Sequence, residues 1–279
     1  MSETSATLSR KARVPIFLLL VVAAITIIYP LVFISTAAFR TKADYLANPF
    51  GLPSAVTWQN FVVLVNNYGL AQAAWNSITV VLVALVLVLL IASVAAYSMA
   101  KLPLPGFRWI NATFVSVMLI PSQVLIIPIY LMLAKIGLVG EHAGLVVVYV
   151  VTGLPFTVFF LTTTFRSIDD SILEAARLDG AGFLRTFRSV IVPLGAPGIA
   201  TVAVLQFLGM WNELLFAYIL LPDNTKTLLT PALAAIGGRY VTDQPLVSAG
   251  LLITALPPLL LLAFTSRYIV VGLNAGSVR

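Results

Sequence analysis

Residues 78–100 read ITVVLVALVLVLLIASVAAYSMA, twenty-three positions without a charged side chain. A helix rises about 1.5 Å per residue and a bilayer's hydrocarbon core is roughly 30 Å thick, so about 20 apolar residues span it. In lipid, backbone N–H and C=O groups have no water to bond, and a helix satisfies them within the segment. This stretch is therefore a membrane helix. The same test passes at Val14–Phe39, Trp109–Leu133, Gly144–Phe165, Ser189–Leu221 and Leu246–Ile269. Together the runs predict an all-α polytopic membrane protein with six transmembrane helices. Arg10, Lys11 and Arg13 precede the first run as they would a signal peptide. That run is too long for a signal core and lacks a small-residue cleavage site, so it reads as a retained span.

Composition agrees. Of 279 residues, 60% are hydrophobic and 9% charged, and the mean hydropathy is +1.05. Soluble domains carry about 25% charged residues, so a water-soluble multidomain enzyme is excluded. The chain has no cysteine, which removes disulfides, thiolate metal sites and cysteine nucleophiles. One histidine, His142, leaves no His-pair metal motif. The net charge of +6 is better explained by membrane topology than by nucleic acid. With the N-terminus inside, the inner face holds Arg10, Lys11, Arg13, Lys101, Arg108, Arg166, Arg177, Arg185, Arg188, Arg267 and Arg279. The outer face holds Arg40, Lys42, Lys135, Lys226 and Arg239; 11 plus 5 accounts for all 16 basic residues. The bias predicts both termini in the cytoplasm, with tails 1–13 and 270–279 flanking a membrane domain at 14–269.

The loops are unequal. The first outer loop, about Arg40–Ser77, holds Pro49, Pro53, Trp58, Tyr68 and Trp75 and is expected to cap the bundle, with aromatics at headgroup depth. Lys101–Arg108 is a tight inner turn built on Pro103, Pro105 and Gly106. The second outer loop carries Glu141 and His142, the latter expected as a solvated side chain. The last outer loop, about Pro222–Pro245, contains the semi-apolar stretch Leu228–Ile236, expected in the membrane interface. Ala92, Ala96 and Ala100 form a small-residue ladder suited to helix–helix packing.

The second inner loop, residues 166–188, is longer than a turn requires. Ser171 and Glu174 stand at capping-box spacing, which predicts a short helix beginning at Ser171. Ile172, Leu173, Ala175, Ala176 and Leu178 give it an apolar face, and Gly180 is placed to end it in a left-handed cap. A second helix starts near Phe183 and leads into the fifth span, with Pro193 in its opening turns. Periodicity alone leaves two readings open. One is an amphipathic hairpin in the headgroups. The other is a protein docking site, because Asp169, Asp170, Glu174 and Asp179 suit an anionic membrane surface poorly.

Glu174-Ala175-Ala176, Gly180, Val190, Val192 and Pro193 closely resemble the EAA loop of ATP-binding-cassette (ABC) importer permeases. The string Glu174-Ala-Ala-Arg-Leu-Asp179-Gly180-Ala181 is similar to the carbohydrate-importer form, with Val190 and Val192 where Ile and Leu are more usual. Trp75-Asn76-Ser77, Ile120-Pro121, Ile127-Pro128-Ile129-Tyr130, Trp211-Asn212-Glu213, Pro257-Pro258 and Gly272-Leu273-Asn-Ala-Gly276 also fit the shorter, six-span partner of a sugar-permease pair. The resemblance implies that the loop is a coupling helix seated in a cleft of a separate ATP-hydrolysing subunit. Glu174, Ala175, Ala176, Asp179, Gly180 and Ala181 would make that contact. It also implies a homologous second permease, a homodimeric ATP-binding subunit that holds ATP and Mg, and an extracytoplasmic sugar-binding protein. This chain would itself carry no cofactor and no metal.

No Gly-x-x-x-x-Gly-Lys-Ser/Thr string occurs, so the phosphate cradle of an ATPase is missing and energy must come from a partner. Polar residues inside spans are pathway candidates. Gln123 lies between Pro121 and Pro128; such prolines either kink a helix for packing, the commoner case, or break it where it lines a polar path. Trp211, Asn212 and Glu213 fall near the outer boundary, where two readings stand, a hydrated interface position for Glu213 or an outer gate made by all three, with Gly209 marking a bend. A stand-alone ion-coupled carrier is the main rival. It would need an ionisable residue deep in the bundle, and only peripheral Glu213 comes near. A membrane-embedded hydrolase lacks a nucleophile–base set.

Overall fold

The computed structural model describes residues 10–102, 105–239 and 243–275, and every regular element among them is helical. The expected tails fall partly outside these residues, as does Pro103. Among the described residues, five helices are long and apolar enough to cross a membrane: Pro15–Ala38, Leu70–Lys101, His142–Arg166, Phe183–Trp211 and Gln244–Thr265. The expected third span is a broken pair, Trp109–Met118 and Ser122–Lys135, bent by 88°. Pro121 causes the break. It supplies no N–H to the ladder and bars the preceding residue from helical geometry.

The fold divides into two compact units, Met1–Tyr68 with Ile236–Ile253, and Gly69–Ala235 with Thr254–Arg279. The first contains α1 (Arg10–Ala38), α2 (Lys42–Ala47) and α3 (Gln59–Tyr68). Within the chain, the most apolar stretch of α1 is entirely unburied. Arg40, expected as an ordinary outer-face cation, is 2% exposed and organises the loop after α1. Its guanidinium donates to Asp44 Oδ2 at 2.6 Å, to Asp44 O at 2.7 Å and to Gly51 O at 3.0 Å. The hydrogen bond from Arg40 holds the Asp44 carboxyl below its ordinary range. Asn60 Nδ2 donates to Ala38 O and Arg40 O, satisfying carbonyls that the end of α1 leaves open. Trp58 stands edge-on to Phe39 at 4.9 Å.

The second unit is built on α4 (Leu70–Lys101), α7 (His142–Arg166) and α10 (Val192–Trp211). α4 begins eight residues before the expected start at Ile78, so Trp75-Asn76-Ser77 is helical. Ala92 and Ala96 are fully buried beside Val158, Leu161, Phe165, Ile191 and Val202. Glycine lets α10 approach α7: a Cβ on Gly195 would stand 2.5 Å from the Phe165 ring, and one on Gly198 2.4 Å from Thr164 Cγ2. Small residues of this kind bring helix backbones together where lipid offers no hydrophobic drive. A polar clasp lies farther along the same pair. Gln206 Nε2 donates to Gly153 O at 3.0 Å and to Thr157 Oγ1 at 2.7 Å.

Between these helices run α5 (Phe107–Met118), a 3-10 turn at Ser122–Leu125, and α6 (Ile126–Lys135). After α7 come α8 (Asp170–Leu178), α9 (Phe183–Thr186) and a π-helical segment, Phe187–Ile191. α11 (Leu215–Leu220), α12 (Leu229–Arg239) and α13 (Gln244–Ala275) complete the chain. The expected fifth span therefore ends at Trp211 and not at Leu221. The break falls at Asn212–Leu214, with Gly209 still inside α10. In the stretch expected at the membrane interface, Leu228, Leu229 and Leu233 are buried against the rest of the chain.

Candidate coupling site and membrane pathway

α8 starts one residue before the expected Ser171. Its N-cap is Asp169, whose carboxylate accepts from the Ser171 N–H at 2.9 Å. That backbone bond holds Asp169 below the ordinary aspartate value of 3.8. A carboxyl depressed on folding stabilises above its unfolded pKa and loses that contribution as pH falls through the folded value. The cap is thus complete at neutral pH and opens only in acid. Ser171 and Glu174 lie inside the helix, so the capping box anticipated from their spacing gives way to Asp169. The C-terminus follows the expected left-handed stop. Gly180 has φ +77°, its N–H donates to Arg177 O at 3.0 Å, and Ala181 N–H donates to Ala176 O at 2.9 Å. These two bonds form a Schellman motif.

The helix is split by exposure. Leu173 is 2% exposed and joins the apolar cluster of Ala92, Ala96, Tyr97 and Phe165. Glu174, Ala175, Arg177, Asp179 and Gly180 are exposed, Ala176 and Ala181 are half-buried, and Leu178 is 89% exposed. Lys101, Asp170, Leu173, Glu174 and Arg177 border a cleft of about 340 Å³ beside the helix. Lys101 Nζ donates to Ile168 O at 2.5 Å and to Asp170 Oδ1 at 2.6 Å. Behind α8, Tyr97 stacks on Phe183 at 4.7 Å and on Phe187 at 5.6 Å. The π-helical segment that follows absorbs Pro193. Val192 N–H reaches back five residues to Phe187 O, just before the proline ring interrupts the ladder.

The pathway candidates are separated, and no hydrogen bond joins Gln123 to Trp211, Asn212 or Glu213. Gln123 is exposed in the 3-10 turn at the 88° bend. Trp211 is 4% exposed and donates its indole N–H to Thr254 O at 3.0 Å, while its own carbonyl accepts from Thr230 Oγ1. Glu213 accepts from the Phe216 N–H at 2.9 Å, the Ala217 N–H at 3.0 Å and the Tyr149 hydroxyl at 3.3 Å. Its carboxylate therefore ties the start of α11 to α7. Asn212 is the exposed member of the three.

An outer clasp was not anticipated in this detail. Asn76 Nδ2 donates to Thr225 O and Thr227 O, both at 3.0 Å, and Ser77 Oγ accepts from the Leu229 N–H at 2.8 Å. His142 Nε2 meets Lys226 O at 2.8 Å, and Lys226 pairs with Glu141 at 2.6 Å. His142 is thus tied into the 222–228 loop, contrary to its expected solvated state. The Asn-Ser pair at the head of α4 was the available signal, but its partners lie about 150 residues away in sequence.

These features define a polytopic helical membrane protein with a short, largely exposed helix on one loop. The chain belongs to the family of binding-protein-dependent transport system inner membrane components, whose pattern it matches over residues 89–271. It is 33% identical over 263 residues to the diacetylchitobiose uptake system permease protein NgcG of Streptomyces coelicolor, covering 94% of this chain and 87% of that one. The trehalose transport system permease protein SugB of Mycobacterium tuberculosis is 32% identical over 82% of this chain and 84% of its own length. The melibiose/raffinose/stachyose import permease protein MelC of Bacillus subtilis is 29% identical over 90% of this chain and 91% of its own. A chain of a bacterial ABC transporter involved in the import of the acidic polysaccharide alginate shares the fold, with TM-score 0.80 and 22% identity over 94% of this chain and 98% of that one. The protein is accordingly a multi-pass permease subunit of an ABC importer in the cytoplasmic membrane, a transport component and not an enzyme.

Proposed function

We propose that this chain forms half of the translocation pathway for a carbohydrate and receives its driving force through α8. The named relatives move diacetylchitobiose, trehalose and the melibiose–stachyose series, and that shared chemistry supports a neutral sugar as the solute. The observation that carries the coupling role is the two-sided exposure of α8. Leu173 is locked into the core while Glu174, Ala175, Leu178, Asp179 and Gly180 are exposed. Ala176 and Ala181 complete the contact. Their small side chains allow a partner backbone to approach closely.

In this reading the partner is a homodimeric ATP-binding subunit that holds ATP and Mg. A second, homologous permease supplies the other half of the path, and an extracytoplasmic sugar-binding protein delivers the solute. Both termini and α8 lie in the cytoplasm, in accord with the 11-to-5 distribution of basic residues. Gln123, exposed at the bend of the third span, offers the neutral hydrogen-bonding group that a sugar path needs. Asn212 offers a second at the outer end. Mild-detergent purification from native membranes should recover an ATPase in stoichiometric amount, and ATP-dependent sugar uptake should follow reconstitution. Recovery of this chain without any ATPase would overturn the proposal.

A further inference from the structure

α8 is joined to the end of α4 by one directional link. Lys101 is the last residue of α4, and its side chain is 4% exposed. Its ammonium donates to Ile168 O and Asp170 Oδ1. The asymmetry is informative: the Asp170 side chain is 78% exposed, so the aspartate reaches in from water to a cation that has been taken out of it. Withdrawing an ammonium from water is costly unless it is paired, and an apolar residue would close the same gap at lower cost. The other contact of α8 here, Leu173 in the apolar cluster, is non-directional and allows sliding. The ion pair fixes register.

We propose that Lys101 is a positioning residue that locks the first turn of the coupling helix to the end of α4, so that displacement of α8 moves α4 without slip. The proposal rests on the reading of α8 as the ATPase-docking helix. The Lys101 side chain is 4% exposed and offers a partner little surface, so its loss should loosen transmission more than binding.

The test uses the complete transporter, reconstituted in proteoliposomes with its own ATPase and binding protein. Sugar accumulated per ATP hydrolysed is compared for wild type, Lys101→Met, Lys101→Arg and Asp170→Asn. With Lys101→Met, the ATPase should still co-purify, while sugar per ATP falls roughly tenfold, within the usual range for coupling between two sites. Lys101→Arg should restore the ratio to within about twofold, because the guanidinium keeps the charge and the adjoining cleft of about 340 Å³ admits it. An unchanged ratio in Lys101→Met would overturn the proposal, as would equal loss of ATPase binding and uptake, or failure of arginine to rescue. If Lys101→Met does not assemble, Asp170→Asn decides: a lowered ratio supports the lock and a wild-type ratio refutes it. Absence of any ATP-driven uptake by the wild-type assembly would instead refute the coupling reading itself.

Discussion

Gly180 closes α8 at φ +77° with open space where a Cβ would stand, whereas Gly195 on α10 has the Phe165 ring 2.5 Å from that position. The first glycine is required by backbone conformation and the second by volume, so bulky substitutions should fail differently. Gly180→Val should leave insertion and abundance unchanged. Left-handed strain of about 1–2 kcal/mol would unwind the docking turn and lower uptake by roughly tenfold. Gly195→Val should lower the thermal unfolding midpoint in detergent, since overpacking a closed contact costs about 1–3 kcal/mol. Equal melting temperatures for the two variants would contradict this division. The Glu-Ala-Ala string and the stop at Gly180 were legible because they are local. Asp169 as the true cap was not, since Asp169 and Ser171 are both good caps and the choice lies with the path of the chain leaving α7.

At the scale of elements, α7 and α10 are held by two devices placed along one seam. Gly195 and Gly198 set the distance at one end, and Gln206 clasps Gly153 O and Thr157 Oγ1 farther along. Removing the amide with Gln206→Leu should cost about 0.6–2 kcal/mol, the usual worth of an interhelical hydrogen bond in a membrane protein. A lower melting temperature with retained insertion is the expected readout, and an unchanged one would show that Gln206 is dispensable to the seam. Helix existence was readable from hydrophobic runs, but breaks within them were not. Pro121 bends the third span by 88°, while Pro155 and Pro197 remain inside continuous α7 and α10. A proline removes one donor wherever it stands, and the neighbours that pack around it decide whether the helix tolerates the loss.

For the whole molecule, the charge count predicts an orientation, and the absence of cysteine makes it testable without background. A membrane-impermeant maleimide applied to intact cells should label Asp223→Cys, and should label Arg185→Cys only after permeabilisation. Labelling of both from the same side would refute the cytoplasmic placement of α8. Runs of apolar residues determined by themselves that this chain lives in lipid, and the resemblance of one loop to the EAA pattern pointed to an importer. Both are local signals, one a matter of transfer free energy and the other of a short turn whose geometry is encoded within about twenty residues. Tertiary structure alone decided that Arg40 is buried, that Trp211 and Glu213 tie helices together, and that Asn76 and His142 grip the 222–228 loop. A polar side chain costs free energy until it finds a partner. Those partners are brought near by helix packing across up to 150 or so residues of chain, a distance over which no pattern in the sequence links them.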